Sequence, residues 1–198
     1  MPSGRTRQFD EDEALDRAME VFWRRGYEGA TLPELTSAMG INRPSLYAAF
    51  GNKEQLFRRA LDRYASGPAG FMARALNEPT ARRVAEGALF GLVCLLGDPC
   101  HPRGCMVVHG ALACGEESEP LRCELAARRE AGVSALAERF ERAVREGDLK
   151  AGTDCAVLAR YVATLMHGLA VQSASGATGC ELRKVVEFAM RAWPEDEK

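Results

Sequence analysis

Nowhere in this 198-residue chain do apolar and polar residues alternate for long enough to make a strand. A sheet is therefore excluded, and with it the fold classes built on one. Internal repeats and low-complexity tracts are also missing, although 46% of the residues are hydrophobic, so the chain has the means to bury a sizeable core. The longest apolar run, near Gly87 to Gly97, is too short and too interrupted by glycine to cross a bilayer. The N-terminal stretch has no apolar segment suited to a signal peptide, and no membrane partner is expected. Seven cysteines make an odd count for a disulfide framework, and reduced thiols fit a cytoplasmic protein. No Gly-rich phosphate loop, G-x-S-x-G elbow, H-E-x-x-H motif or evident carboxylate pair is present, so neither an enzyme nor a cofactor is indicated. The net charge of -2 does not announce a nucleic-acid partner either.

What is present is helical periodicity, and one segment of it is unusual. In Thr31 to Lys53, TLPELTSAMGINRPSLYAAFGNK, Thr31 can cap a helix and Glu34 can complete a capping box. Leu32, Leu35 and Met39 follow at helical spacing, and Gly40 sits where a helix ends on a left-handed residue. Asn42 then caps a second helix from about Arg43 to Phe50, with Pro44 in its first turn. Leu46 and Phe50 face inward, leaving Arg43, Ser45, Tyr47, Ala48 and Ala49 outward. A short helix that exposes guanidinium and hydroxyl groups beside small residues suits a DNA major groove, which makes the pair a helix-turn-helix.

The ordered run Ala30-Thr31, Leu35, Gly40 to Tyr47 and Phe50 to Leu56 resembles the DNA-binding domain of the TetR family of transcriptional repressors. The resemblance implies an all-α, ligand-responsive DNA-binding regulator, acting as a homodimer on double-stranded operator DNA and released by a small-molecule effector. It implies that Thr31 and Tyr47 hold phosphates, that Arg43, Pro44 and Ser45 lie at the groove, and that Lys53 clamps the backbone. Ala48 and Ala49 depart from the family pattern, which often has His or Tyr there.

Around this motif the chain divides into a helix-turn-helix domain at 5–65 and an effector-binding and dimerisation domain at 66–198, separated at Ser66-Gly67-Pro68. Phe9 to Arg25 is an amphipathic helix ended by Gly26, and Asn52 to Ala65 links the two domains. Arg5 and Arg7 form a basic arm. Arg58, Arg59 and Arg63 read either as part of a basic surface or as solvated helix faces. Farther on, helices are expected at about Ala81 to Leu96, Cys105 to Cys114, Pro120 to Arg145, Asp154 to Gly176 and Glu181 to Trp193. The fourth of these is apolar on nearly all sides, which places one face on its own core and another on a second subunit. Leu165 and Leu169 are the dimer-interface candidates, with the Pro120 to Arg145 helix pairing beside them.

Phe90, Cys94, Met106, Tyr161 and His167 are candidate effector contacts, with Met72 and Val93 as further wall residues. Cys100, His101, Cys105 and His109 lie within ten residues, which leaves an all-α metal- or redox-sensing protein or enzyme as the alternative function. Their spacing lacks a paired C-x-x-C, so buried thiols and an organic effector are the preferred reading, with no metal site.

Overall fold

A computed structural model describes residues 9–112 and 119–194, and contains ten α-helices and no strand among them. The basic arm, Cys114 and the charged tail after Pro194 lie outside the described residues. The helices are α1 (Glu11–Gly29), α2 (Leu32–Met39), α3 (Arg43–Phe50), α4 (Lys53–Ser66), α5 (Phe71–Leu76), α6 (Ala81–Gly97), α7 (Met106–Leu112), α8 (Glu119–Glu146), α9 (Cys155–Ala174) and α10 (Gly179–Arg191).

Their starts follow capping chemistry. Asp10, Thr31, Asn42, Asn52, Thr80, Asp154 and Thr178 each accept a first-turn amide on a side-chain oxygen, which satisfies a donor that has no partner inside the helix. α1 is broken where expected: Gly26 has φ 68° and ψ 179°, and one further turn carries the helix to Gly29. The short α5 was not anticipated, because Phe71–Leu76 is a single turn and a half with no capping side chain. The capping box expected at Thr31 does not form. Glu34 instead accepts from Arg25 Nε at 3.2 Å, while complete boxes form at Asn52/Gln55 and Thr178/Glu181.

Helices α1 to α4 enclose an aromatic core in which Phe22 meets Phe57 edge-on at 5.0 Å and Tyr27 lies 5.2 Å from Phe57. The joint to the remaining helices is made by Trp23. Its ring packs edge-on against Tyr64 at 4.8 Å, and its Nε1 donates to the Gly104 carbonyl at 2.8 Å. A side chain at Gly104 would strike the His109 ring, and its φ of 84° suits glycine, so this turn admits little else. Beyond the joint, α6 packs on α5, α9 and α10, and α8 packs along α9. With 20 residues and a mean hydropathy of 1.2, α9 has the length and apolarity of a membrane span, yet its Ala159, Val162 and Ala170 are buried within this helical body.

Candidate nucleic-acid interface and effector cavity

The α2–α3 pair is held from behind by Leu35 and Leu46, both fully buried, and by Met39 and Phe50. Between them Gly40 turns the chain at φ 68°, and the Ile41 amide donates to the Thr36 carbonyl at 3.1 Å. Asn42 Oδ1 accepts the Ser45 amide at 2.9 Å, fixing where α3 begins. With Leu46 and Phe50 inward, Arg43, Pro44, Tyr47 and Ala48 are left exposed, and Tyr47 shows 49% of its surface. Ser45 and Ala49, both expected on the outer side, are half-buried, and Ala49 packs against the core. Thr31 is exposed at the start of α2. The structure thus brings Thr31, Arg43, Pro44, Ser45 and Tyr47 onto the two helices of one head.

Lys53, at the start of α4, is half-buried with its Nζ 4.4 Å from the centre of the Tyr27 ring. Burial pushes its pKa down and the nearby Glu28 pushes it up, with a net lowering. The ring thus holds the ammonium beside the head, a role for Tyr27 that its sequence position did not reveal. The other arginines of this region are engaged elsewhere. Arg63 grips Asp16 with both Nε (2.7 Å) and Nη2 (2.8 Å), and reaches Asp12 at 3.3 Å. Arg59 donates to the Ala49 carbonyl, lies over the Phe50 ring and sits 3.6 Å from Glu11. Arg58 bonds Glu124 of α8 at 2.7 Å and Glu54 at 2.6 Å. The acids at the start of α1 are therefore staples for α4, and neither a basic surface nor freely solvated faces describes these three arginines.

A cavity of about 160 Å³ opens between α4, α5, α6, α7, α8 and α9. Tyr64, Phe71, Met72, Leu92, Val133 and Met166 form much of its apolar wall, with Cys105, Arg128, Arg129 and His167 as its polar groups. Tyr64 Oη donates to Cys105 Sγ at 3.4 Å, and burial pushes the phenol's pKa well up. His167 is pushed down by burial and by the charges of Arg129 and Arg160. Of the seven expected effector contacts and wall residues, His167 and Met72 line this space and the other five do not, Val93 being buried at 3% exposure. Met106 is packed into the core with 1% exposure. Phe90 lies on α6 under the Arg183 guanidinium at 5.4 Å, Cys94 borders an open groove beside Phe71 and Gly91, and Tyr161 points outward with 42% exposure. Helical periodicity could not separate these faces, because a helix packed between neighbours has several apolar sides. Arg128 and Arg129, missed from sequence, are carried to the wall by the long α8.

The cysteine and histidine residues do not converge. Among the described residues no three His, Cys, Asp or Glu side chains stand close enough to share a metal ion. Cys100 is exposed, His101 stacks on Trp23 at 5.4 Å, and Cys105 takes the Tyr64 hydroxyl. His109 is half-buried and lines a separate groove with Arg24 and Arg103, its pKa lowered by burial.

Two family models match the chain: the tetR family of bacterial regulatory proteins over residues 14–60, and the tetracyclin repressor-like C-terminal domain over 92–193. The HTH-type transcriptional repressor ComR of Escherichia coli is 30% identical over 195 residues, covering 97% of this chain and 92% of ComR. The chain belongs to the TetR family. Like the rest of that family it is a DNA-binding transcriptional regulator rather than an enzyme. Among solved structures, a cysteine variant of the TetR-family regulator CifR in complex with a 26-bp double-stranded operator is 46% identical. It matches with a TM-score of 0.92, over 96% of this chain and all of that one. A TetR regulator from Rhodococcus is 43% identical with a TM-score of 0.63, over 94% of this chain and all of that one.

In this TetR-family regulator the large apolar side chains left exposed outside the head fall, among the described residues, on two helices. Val157, Tyr161 and Val171 belong to α9, and Val185 and Phe188 to α10, with Phe188 showing 73% of its surface. α8 contributes none among the described residues. Leu165 is half-buried, and it borders a shallow groove with Leu182 and Val185. Leu169, at 3% exposure, already belongs to the core of its own subunit.

Proposed function

We propose that this regulator works as a homodimeric repressor of double-stranded operator DNA, and that an organic effector entering the cavity between α4 and α9 releases it. The observation that carries this reading is the course of α4. Its first residue, Lys53, lies beside the α2–α3 head, and its last turn presents Tyr64 to the cavity. A change in the cavity wall at Tyr64 is thereby a change in the orientation of the head. Two heads must stand about 34 Å apart to enter successive major grooves, so a modest rotation of α4 defeats both.

In this reading residues 5–65 form the DNA-binding unit and residues 66–198 the effector and dimer unit. Thr31, Tyr47 and Lys53 take phosphates, Arg43, Pro44 and Ser45 lie at base edges, and the exposed face of α9 and α10 meets its copy. No cofactor and no membrane enter the scheme.

The test is duplex binding followed across a salt series. Lys53→Ala should weaken binding to all sequences alike and flatten the salt dependence by about one unit. Tyr47→Phe should weaken it uniformly, whereas Arg43→Ala and Ser45→Ala should change which bases are preferred. Wild-type binding by both the Lys53 and the Tyr47 variants would refute the docking.

A further inference from the structure

The cavity's charged lining has one sign. Arg128, Arg129 and His167 border it, and among the described residues no Asp or Glu does. Arg128 is already engaged, with Asp62 at 2.8 Å and Glu124 at 3.0 Å. Arg129 is not: its guanidinium gives one hydrogen bond, to the Val107 carbonyl at 3.3 Å, and it forms no ion pair among the described residues. A guanidinium has five N–H donors in a planar fork that matches a carboxylate, and most of those of Arg129 are left open to one. The imidazole of His167 lines the same cavity. Its proton is disfavoured by burial first, then by Arg129 and Arg160, which indicates a positive potential at this end. Arg160 itself is held by Glu130 through two bonds of 2.8 and 2.6 Å. Apart from the Tyr64 hydroxyl and the Cys105 thiol, which bond each other, the remaining wall is hydrocarbon, and the cavity volume of about 160 Å³ compares with the ~150 Å³ apolar cavity that admits one benzene ring.

We propose that the cavity takes a small organic anion, a single ring or short chain bearing one carboxylate, with the hydrocarbon against Phe71, Leu92 and Val133 and the carboxylate on Arg129 and His167. This rests on the reading of the cavity as the effector site and adds the chemical class that it selects. Neutral compounds of the same shape fill the hydrocarbon part but leave the Arg129 fork unanswered.

The experiment is calorimetric titration of the full-length protein with benzoate, phenylacetate and cyclohexanecarboxylate, each paired with its primary amide. The carboxylates should bind at least tenfold more tightly than their amides, since a charge-assisted bond is lost in the amide. Arg129→Gln should abolish that preference while leaving amide affinity within threefold. Equal binding of acids and amides by the wild type overturns the charge assignment and leaves the cavity reading standing. A preference that survives Arg129→Gln also overturns it, by placing the anion elsewhere. Binding by no member of either series overturns the cavity reading together with the proposal. Should the Arg129 variant fail to fold, the wild-type acid-to-amide ratio decides alone.

Discussion

Phe188→Asp should separate the subunits without unfolding them. Phe188 stands on α10 with 73% of its surface exposed, so its own subunit gains little from it, and an exposed polar residue suits a helix surface there. Fully burying a phenylalanine side chain stabilises by roughly 1.5–3 kcal/mol. Covering the exposed part of Phe188 is then worth about 1–2 kcal/mol per subunit, and a two-fold interface counts it twice, giving about 2–4 kcal/mol per dimer. At 1.4 kcal/mol per factor of ten, the loss amounts to roughly 30- to 1000-fold in the dimer dissociation constant, before the cost of burying two carboxylates. Sedimentation velocity across a concentration series would follow the shift from twice the protomer mass toward 21.6 kDa, with circular dichroism to confirm that the helices persist. Leu169→Asp gives the contrast. At 3% exposure in its own subunit it should unfold the chain, not merely divide the dimer. A Phe188→Asp protein that dimerises within threefold of wild type would refute the α9–α10 interface.

Asn42→Ala removes the side-chain acceptor for the Ser45 amide and should cost about 1 kcal/mol of stability, readable in chemical denaturation, with a matching loosening of α3 in hydrogen exchange. Glu124 gives a pH signature. Burial alone would raise its pKa, but hydrogen bonds from Arg58 and Arg128 outweigh that and hold it below the ordinary 4.5. A carboxyl whose folded value lies below its unfolded one contributes stability above the unfolded value and loses it as pH falls through the folded value. The thermal midpoint of the wild type should therefore drop more steeply below pH 4.5 than that of Glu124→Gln; parallel curves for the two proteins would exclude this account of the α4–α8 contact.

The head was legible in the sequence because local rules fix it. Capping residues, Gly40, Pro44 and the Leu46/Phe50 pair define two short helices without reference to the rest of the chain, and the structure has them within a residue of the expected bounds. Helix order beyond it was also legible, since most boundaries carry a cap or a glycine. Contacts between distant segments were not. The pairing of Arg63 with Asp16 spans 47 positions, and that of Arg58 with Glu124 spans 66, so nothing local distinguishes them from solvated charges. The cavity was hidden for the same reason. Its wall takes a few residues from each of several helices, and Met106, Phe90 and Tyr161 have the same apolar character as residues that line it. Trp23 shows the limit most clearly, since its place on the apolar face of α1 gave no sign that it would reach Gly104, 81 positions away, and join the two halves.

The central claim, that two α2–α3 heads of one dimer read successive major grooves, is tested most directly by hydroxyl-radical footprinting on a duplex selected from random DNA. Two protected patches should appear on one face of the duplex, with centres one helical turn, about 34 Å, apart or a whole multiple of it. Both should vanish together in Phe188→Asp at concentrations where it is monomeric. A single protected patch, or a footprint unchanged in the monomeric variant, would contradict the account.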